Sequence, residues 1–179
     1  MNLKISCIQN DVITRNPEAN RRHLDEMLKS VENTDIIVFP ETFTTGFPAD
    51  PNEFAEEVGG PTMQWMREKA AENNCAVCGT IILKNNGFYN SFIWMEPDGR
   101  YHLYNKRHLF TMGGEIGLNR GEERITIEYK GWRIRPLCAT TCVSRCGTAI
   151  ASRTVNMNTT WLFSPLNGQR RNQRCGIRY

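Results

Sequence analysis

At 179 residues, with 40% hydrophobic side chains and 14 glycines, the chain is long enough for one domain with its own core. No apolar run approaches the roughly 18 residues of a membrane span, and the opening MNLKISCIQNDV has no basic segment followed by an apolar one. This argues against a span or a secretory leader and implies a cytoplasmic protein. The net charge of +3 is unevenly spread: all 19 acidic residues and 16 of the 22 lysines and arginines precede residue 138, whereas 138–179 hold six arginines, no Asp, Glu or Lys, and four of the seven cysteines.

In chain order, Leu3, Ile5 and Cys7 alternate with polar neighbours and predict a first strand. Asn16 can cap a helix with Pro17 at its first position, and Leu24, Met27, Leu28 and Val31 give it an apolar stripe to about Val31. DIIVFPE, 35–41, is a short apolar run stopped by Pro40, the pattern of a strand buried on both faces. GPTMQWMREKAAENN, 60–74, reads as a second helix with Met63, Met66 and Ala70 inward, and CAVCGTIIL, 75–83, as the strand after it. This alternation predicts an α/β domain. The turns KNNG at 84–87 and EPDG at 96–99 then separate FYNSFIWM from YHLYNK as consecutive antiparallel strands. After a glycine-rich loop, RITIEY, the turn at Lys130 and Gly131, and WRIRPL give two more strands. Beyond Leu137 the periodicity fades; only TTWLF, 159–163, suggests a strand.

Two residues stand out at strand ends. Glu41 follows an apolar strand and enters the loop TFTTGF, and Lys106 ends YHLYNK. Strand ends leading into loops are common places for catalysis, although Glu41 alone is equally compatible with a local cap or pair, and a lysine at a strand end is more often a solvated charge. Taken together, FPETFTTGF at 39–47 and YNKRHLF at 104–110 resemble the nitrilase superfamily of carbon–nitrogen hydrolases, closest to its ω-amidase branch. MGGE at 112–115, Gly121 and YKGWRIRPL at 129–137 extend the resemblance in matching order over 1–137. It implies a four-layer α-β-β-α sandwich whose C-terminal part is incomplete here, with 1–137 as the N-terminal part of a carbon–nitrogen hydrolase domain.

The resemblance also implies a Glu-Lys-Cys triad: Glu41 as general base, Lys106 stabilising the tetrahedral intermediate, and Glu115 as a supporting second glutamate. In such a site a thiolate attacks the amide carbonyl to give a thioester, which water then clears. The carboxylate moves the protons while the ammonium opposes the developing oxyanion. No metal or cofactor is needed. The implied substrates are small amides, namely ω-amides of 2-oxo acids such as 2-oxoglutaramate, and family members commonly pair as homodimers. Neither nucleic acid nor membrane is an expected partner.

The nucleophile is unmatched. The family continues the strand corresponding to WRIRPL into Val-Cys-Tyr-Asp-Leu-Arg-Phe-Pro-Val-Trp, but here the text is CATTCVSRCG, 138–147. Read one base earlier, the codons of Cys138 to Gly147 permit that motif in order. The same frame turns Met157 with Asn158 into Glu, permits Tyr-Asp-Leu after it, and permits Trp-Pro from Gly168 and Gln169. The expectation is therefore a one-base deletion in the coding sequence near codon 137, with 138–179 an out-of-frame tail. The family's cysteine would fall at 139, where this chain has Ala139, and Cys138 is expected to be a poor substitute because adjacent strand residues face opposite ways.

Three other readings remain at this stage. Cys75 and Cys78 have the spacing of a zinc pair that Cys138, Cys142 or Cys146 could complete. The arginines of GQRRNQR, 168–174, could bind nucleic acid. The chain could also be an inactive fragment, with open strand edges and apolar faces left by the missing half of the sandwich.

Overall fold

The computed structural model describes residues 2–47, 50–110 and 115–138 and the strands at 159–165 and 175–178. Strand β1 (Leu3–Cys7) leads into helix α1 (Pro17–Leu28), then β2 (Ile36–Val38), a single 3-10 turn at Pro51–Glu53 and the two-residue β3 (Glu56–Glu57). Helix α2 (Pro61–Asn73) precedes β4 (Ala76–Lys84), β5 (Phe88–Met95) and β6 (Tyr101–Asn105). A hairpin of β7 (Ile127–Tyr129) and β8 (Trp132–Cys138) follows, and β9 (Thr159–Pro165) and β10 (Cys175–Arg178) complete the strands.

The local chemistry explains most of these boundaries. Asn16 caps α1 by accepting from the Ala19 N–H at 3.0 Å, with Pro17 in the first turn where its missing N–H costs nothing. The helix ends at Leu28, short of the expected Val31, because the N–H groups of Lys29, Ser30 and Val31 turn to carbonyls three residues back. Met63, Met66 and Ala70 of α2 are buried as their spacing predicts, and Asn74 closes the helix in the left-handed conformation. RITIEY forms a strand only over Ile127–Tyr129, shorter than expected, while TTWLF lies within β9.

The larger sheet has the order β10-β1-β2-β4-β5-β6, with β3 beside β4. Its first part is parallel, β1 to β2 to β4, and its second antiparallel, β4 to β5 to β6, matching the change from helix-linked to turn-linked strands. The smaller sheet runs β7-β8-β9. One face of the large sheet packs on the helices through Ile37, Phe39, Val77, Ile81 and Ile93 against Leu24, Leu28, Met63 and Met66. Its other face packs on the small sheet through Leu3, Ile5, Phe92, Trp94 and Tyr104 against Ile127, Tyr129, Trp132 and Ile134. The described residues thus supply an α-β-β stack, three layers of the expected sandwich.

The loop after β2 is seated by packing as well as by hydrogen bonds. Phe39 and Phe43 stack at 4.8 Å between centroids, and Phe39 lies 5.4 Å from Trp65. A Cβ on Gly79 would come within 2.9 Å of both the Phe39 Cβ and the Phe43 ring, so only glycine lets this aromatic group approach β4 so closely. Asn20 of α1, fully buried, donates to the carbonyls of Ile13 and Thr44 at 2.7 Å each and so ties the same loop to the helix layer. Gly79→Ala should lower stability by about 1–3 kcal/mol through overpacking, measured as a fall in the urea midpoint with an unchanged slope.

Candidate active site

The alternation of β5 and β6 decides what meets at the end of the intersheet space. On β5, Asn90 shares parity with Phe92 and Trp94, which face the small sheet; on β6, Lys106 lies two residues beyond inward-facing Tyr104. The β2 strand ends at Val38, and Glu41 follows three residues later in a loop held by Thr80. The Thr42 N–H donates to the Thr80 Oγ1 at 2.8 Å and the Phe43 N–H to the Thr80 carbonyl at 3.3 Å. Thr42 itself adopts a left-handed backbone, φ 47°, which turns the chain sharply just after the glutamate.

All three residues singled out in the sequence converge. The Lys106 ammonium donates to Glu41 Oε1 at 2.7 Å and to Glu115 Oε1 at 2.9 Å, and each of the three residues is at most 8% exposed. Burial, the largest single influence on Lys106, disfavours its charge. The field of Glu41 and hydrogen bonds to Glu41 and Glu115 outweigh it, so the ammonium's pKa lies above the ordinary lysine value of 10.5. Glu115 Oε2 also accepts the Phe110 N–H, which fastens the segment after β6 back onto the cluster. The backbone of Lys106 is fixed from both sides: its N–H donates to the Asn90 carbonyl and its carbonyl accepts from the Gly121 N–H, both at 2.9 Å. A Cβ on Gly121 would sit 2.1 Å from the Asn105 carbonyl oxygen, so that approach requires glycine.

Sequence reasoning missed Asn90, which is fully buried and donates to both Glu41 and Glu115, and it also missed Thr80 and Asn20. The signal for Asn90 was present, as a polar residue on the inward parity of an otherwise apolar strand. Position 139, where the family's cysteine is expected, lies outside the described residues, as do Gly113, Gly114, Cys142, Cys146 and the arginines of 168–174. The zinc reading meets a geometric obstacle. Cys75 packs in the helix-side core and Cys78 in the intersheet core, so the two thiols lie on opposite faces of the sheet. Burial also pushes the Cys75 thiol up to about 11 and Cys78 well above its usual range, away from the thiolate a metal needs. Among the described residues no three His, Cys, Asp or Glu side chains are grouped to hold a metal, and no helix is long and apolar enough to cross a membrane.

The site is thus a buried ammonium bracketed by two carboxylates at a strand end of an α-β-β scaffold. The chain belongs to the carbon-nitrogen hydrolase family, whose pattern matches residues 4–153. It is 37% identical over 139 residues to "Omega-amidase YafV" of Escherichia coli (strain K12), covering 75% of this chain and 53% of that protein. It is 30% identical over 137 residues to the "2-oxoglutaramate amidase" of Bacillus subtilis (strain 168), covering 73% and 53%. The chain thus spans about half the length of the curated relatives it matches. Among solved structures it is similar to XC1258 from Xanthomonas campestris, a CN-hydrolase superfamily protein with an arsenic adduct in its active site. The TM-score is 0.75 with 36% identity, covering 78% of this chain and 54% of that one. The fold is therefore that of the nitrilase superfamily.

Lys106→Met should cost about 3–5 kcal/mol, because it leaves two carboxylates buried without their cation. The check is equilibrium urea unfolding, with Lys84→Met, at an exposed strand end, as the variant expected to stay within about 0.5 kcal/mol of the parent.

Proposed function

We propose that the coding sequence specifies an ω-amidase-like hydrolase that converts ω-amides of 2-oxo acids, such as 2-oxoglutaramate, to the acid and ammonia. The observation that carries this reading is the buried Glu41–Lys106–Glu115 cluster, in a chain whose relatives include an ω-amidase and a 2-oxoglutaramate amidase. In this reading Glu41 takes the proton of a nucleophilic thiol and later activates the water that hydrolyses the thioester. Lys106 stabilises the tetrahedral oxyanion, and Glu115 holds Lys106 in place. The substrate is a small molecule, and the intact protein pairs as a homodimer.

The same reading makes this 179-residue chain inactive. Its text changes after Leu137, the cysteine that the mechanism requires is Ala139, and a base missing near codon 137 accounts for the change. The chain then retains the groups that move protons and steady the oxyanion, without the group that forms the covalent bond. On this reading 1–137 is the functional part of the text and 138–179 an out-of-frame tail.

Purified chain incubated with 2-oxoglutaramate should release no ammonia above the uncatalysed rate, while a version with one base restored at codon 137 should turn over. Replacing Glu41 by Gln in the restored version should then lower kcat by about 10²–10⁴-fold. Hydrolysis by the unaltered chain would overturn the inactivity, and an inert restored version would overturn the ω-amidase reading. Sequencing of genomic DNA and transcript across codons 130–180 is expected to show the missing base, and an uninterrupted match to this chain would remove the frame explanation.

A further inference from the structure

We infer that Asn90 is a positioning residue of this site, closing a ring of hydrogen bonds that fixes Glu41 and reserves one of its oxygens for proton transfer. Four contacts make the ring. Lys106 Nζ lies 2.7 Å from Glu41 Oε1 and 2.9 Å from Glu115 Oε1, and Asn90 Nδ2 lies 2.7 Å and 2.8 Å from the same two oxygens. Each carboxylate oxygen accepts from both nitrogens, and both protons of the Asn90 amide are used. The orientation of that amide is dictated by charge, since turning its oxygen inward would aim a partial negative charge at two carboxylates. The cost of this orientation is visible: Asn90 Oδ1 is buried with no hydrogen-bond partner among the described residues. A buried acceptor left unmatched is tolerated where the other end of the same group makes two charge-assisted bonds.

The residue type matters as much as the geometry. Two carboxylates and one ammonium carry a net charge of −1, and a neutral amide adds two donors without altering it. A second lysine in its place would bring the cluster to zero and occupy the negative charge that a general base needs. With Glu41 Oε1 holding two donors, Oε2 is the oxygen left to receive a proton, an assignment that rests on the amide-hydrolysis reading. The ring itself does not. Asn90 is also well suited to substitution, because its main chain is secured independently, opposite Ile82 in β4 and through its carbonyl to the Lys106 N–H.

The test uses the full chain, labelled with ¹⁵N, and reads solvent exchange of side-chain protons by NMR, so no amide is hydrolysed. Failure of the ω-amidase reading would therefore leave its result unchanged. The unaltered chain should show both Asn90 amide protons and the Lys106 ammonium protected from exchange. In Asn90→Leu, similar in size but without donors, the Lys106 ammonium should exchange about tenfold faster or more while the backbone amides of β4 and β5 keep their protection. Unchanged Lys106 exchange in a folded Asn90→Leu chain would overturn the proposal. So would Lys106 exchange that rises only in step with loss of the strand amides. If that variant does not fold, the unaltered chain decides: Asn90 protons exchanging as fast as those of the exposed Asn52 amide would overturn the ring, and protection of both would support it.

Discussion

A lysine ammonium only 2% exposed is the constraint around which the described structure is arranged. Such a charge is costly to bury unless it is paired and its hydrogen bonds are met, and the fold meets that demand from three separate places in the chain. Glu41 comes from the loop after β2, Glu115 from the segment after β6, and Asn90 from β5, beside the edge strand β6. Each supplier needs its own support. The Glu41 loop rests on the Phe39, Phe43 and Trp65 rings and on Gly79; the Lys106 main chain is gripped by Asn90 and by the close pass of Gly121. Core packing and site geometry are thus one problem, because a shift of β4 or β5 moves a partner of the buried charge.

Much of this was legible because period and burial coincide. The run IIVF before Pro40 and Glu41 announced a strand buried on both faces that ends at a carboxylate, and the structure buries Ile36, Ile37 and Val38 completely or nearly so. The Asn16–Pro17 start of α1 followed from capping chemistry alone. Other features depend on contacts between distant residues and leave no local mark. Asn90 looks like a polar interruption of FYNSFIWM until Glu41 and Glu115 are placed beside it, 49 and 25 residues away in sequence. Likewise Asn20 reads as an ordinary helix residue, yet it pins Thr44 across 24 residues. The strand at Glu56–Glu57 has no apolar pattern, since it is specified by pairing with Leu83 and Lys84 rather than by its own composition. The CAVC spacing resembles a zinc pair, but Cys75, just before β4, packs in the helix-side core and Cys78 in the intersheet core, the buried small side chains such a segment commonly carries.

The site also separates two questions that a family match joins. The buried cluster lies wholly within the first 115 positions, whereas the family match continues to residue 153, beyond the described residues of β8. The hydrogen bonds that hold the Lys106 ammonium are made by Glu41, Glu115 and, through their shared oxygens, Asn90, so the cluster forms without any residue beyond Glu115. Preorganisation of this kind is a property of the scaffold, and substrate chemistry is added to it.

The central claim, that the chain holds a preassembled carboxylate–ammonium site, is tested most directly by the titration of Lys106. In full chain labelled with ¹³C at lysine Cε, one resonance, assigned by its absence from Lys106→Met, should titrate above the ordinary lysine value of 10.5. Because the folded value is raised, the stability that the ammonium contributes is fully present below that ordinary value and is lost as pH rises through the folded one. A Lys106 resonance that titrates at or below the ordinary value would contradict the account, since the two carboxylates would then fail to outweigh the cost of burying the ammonium.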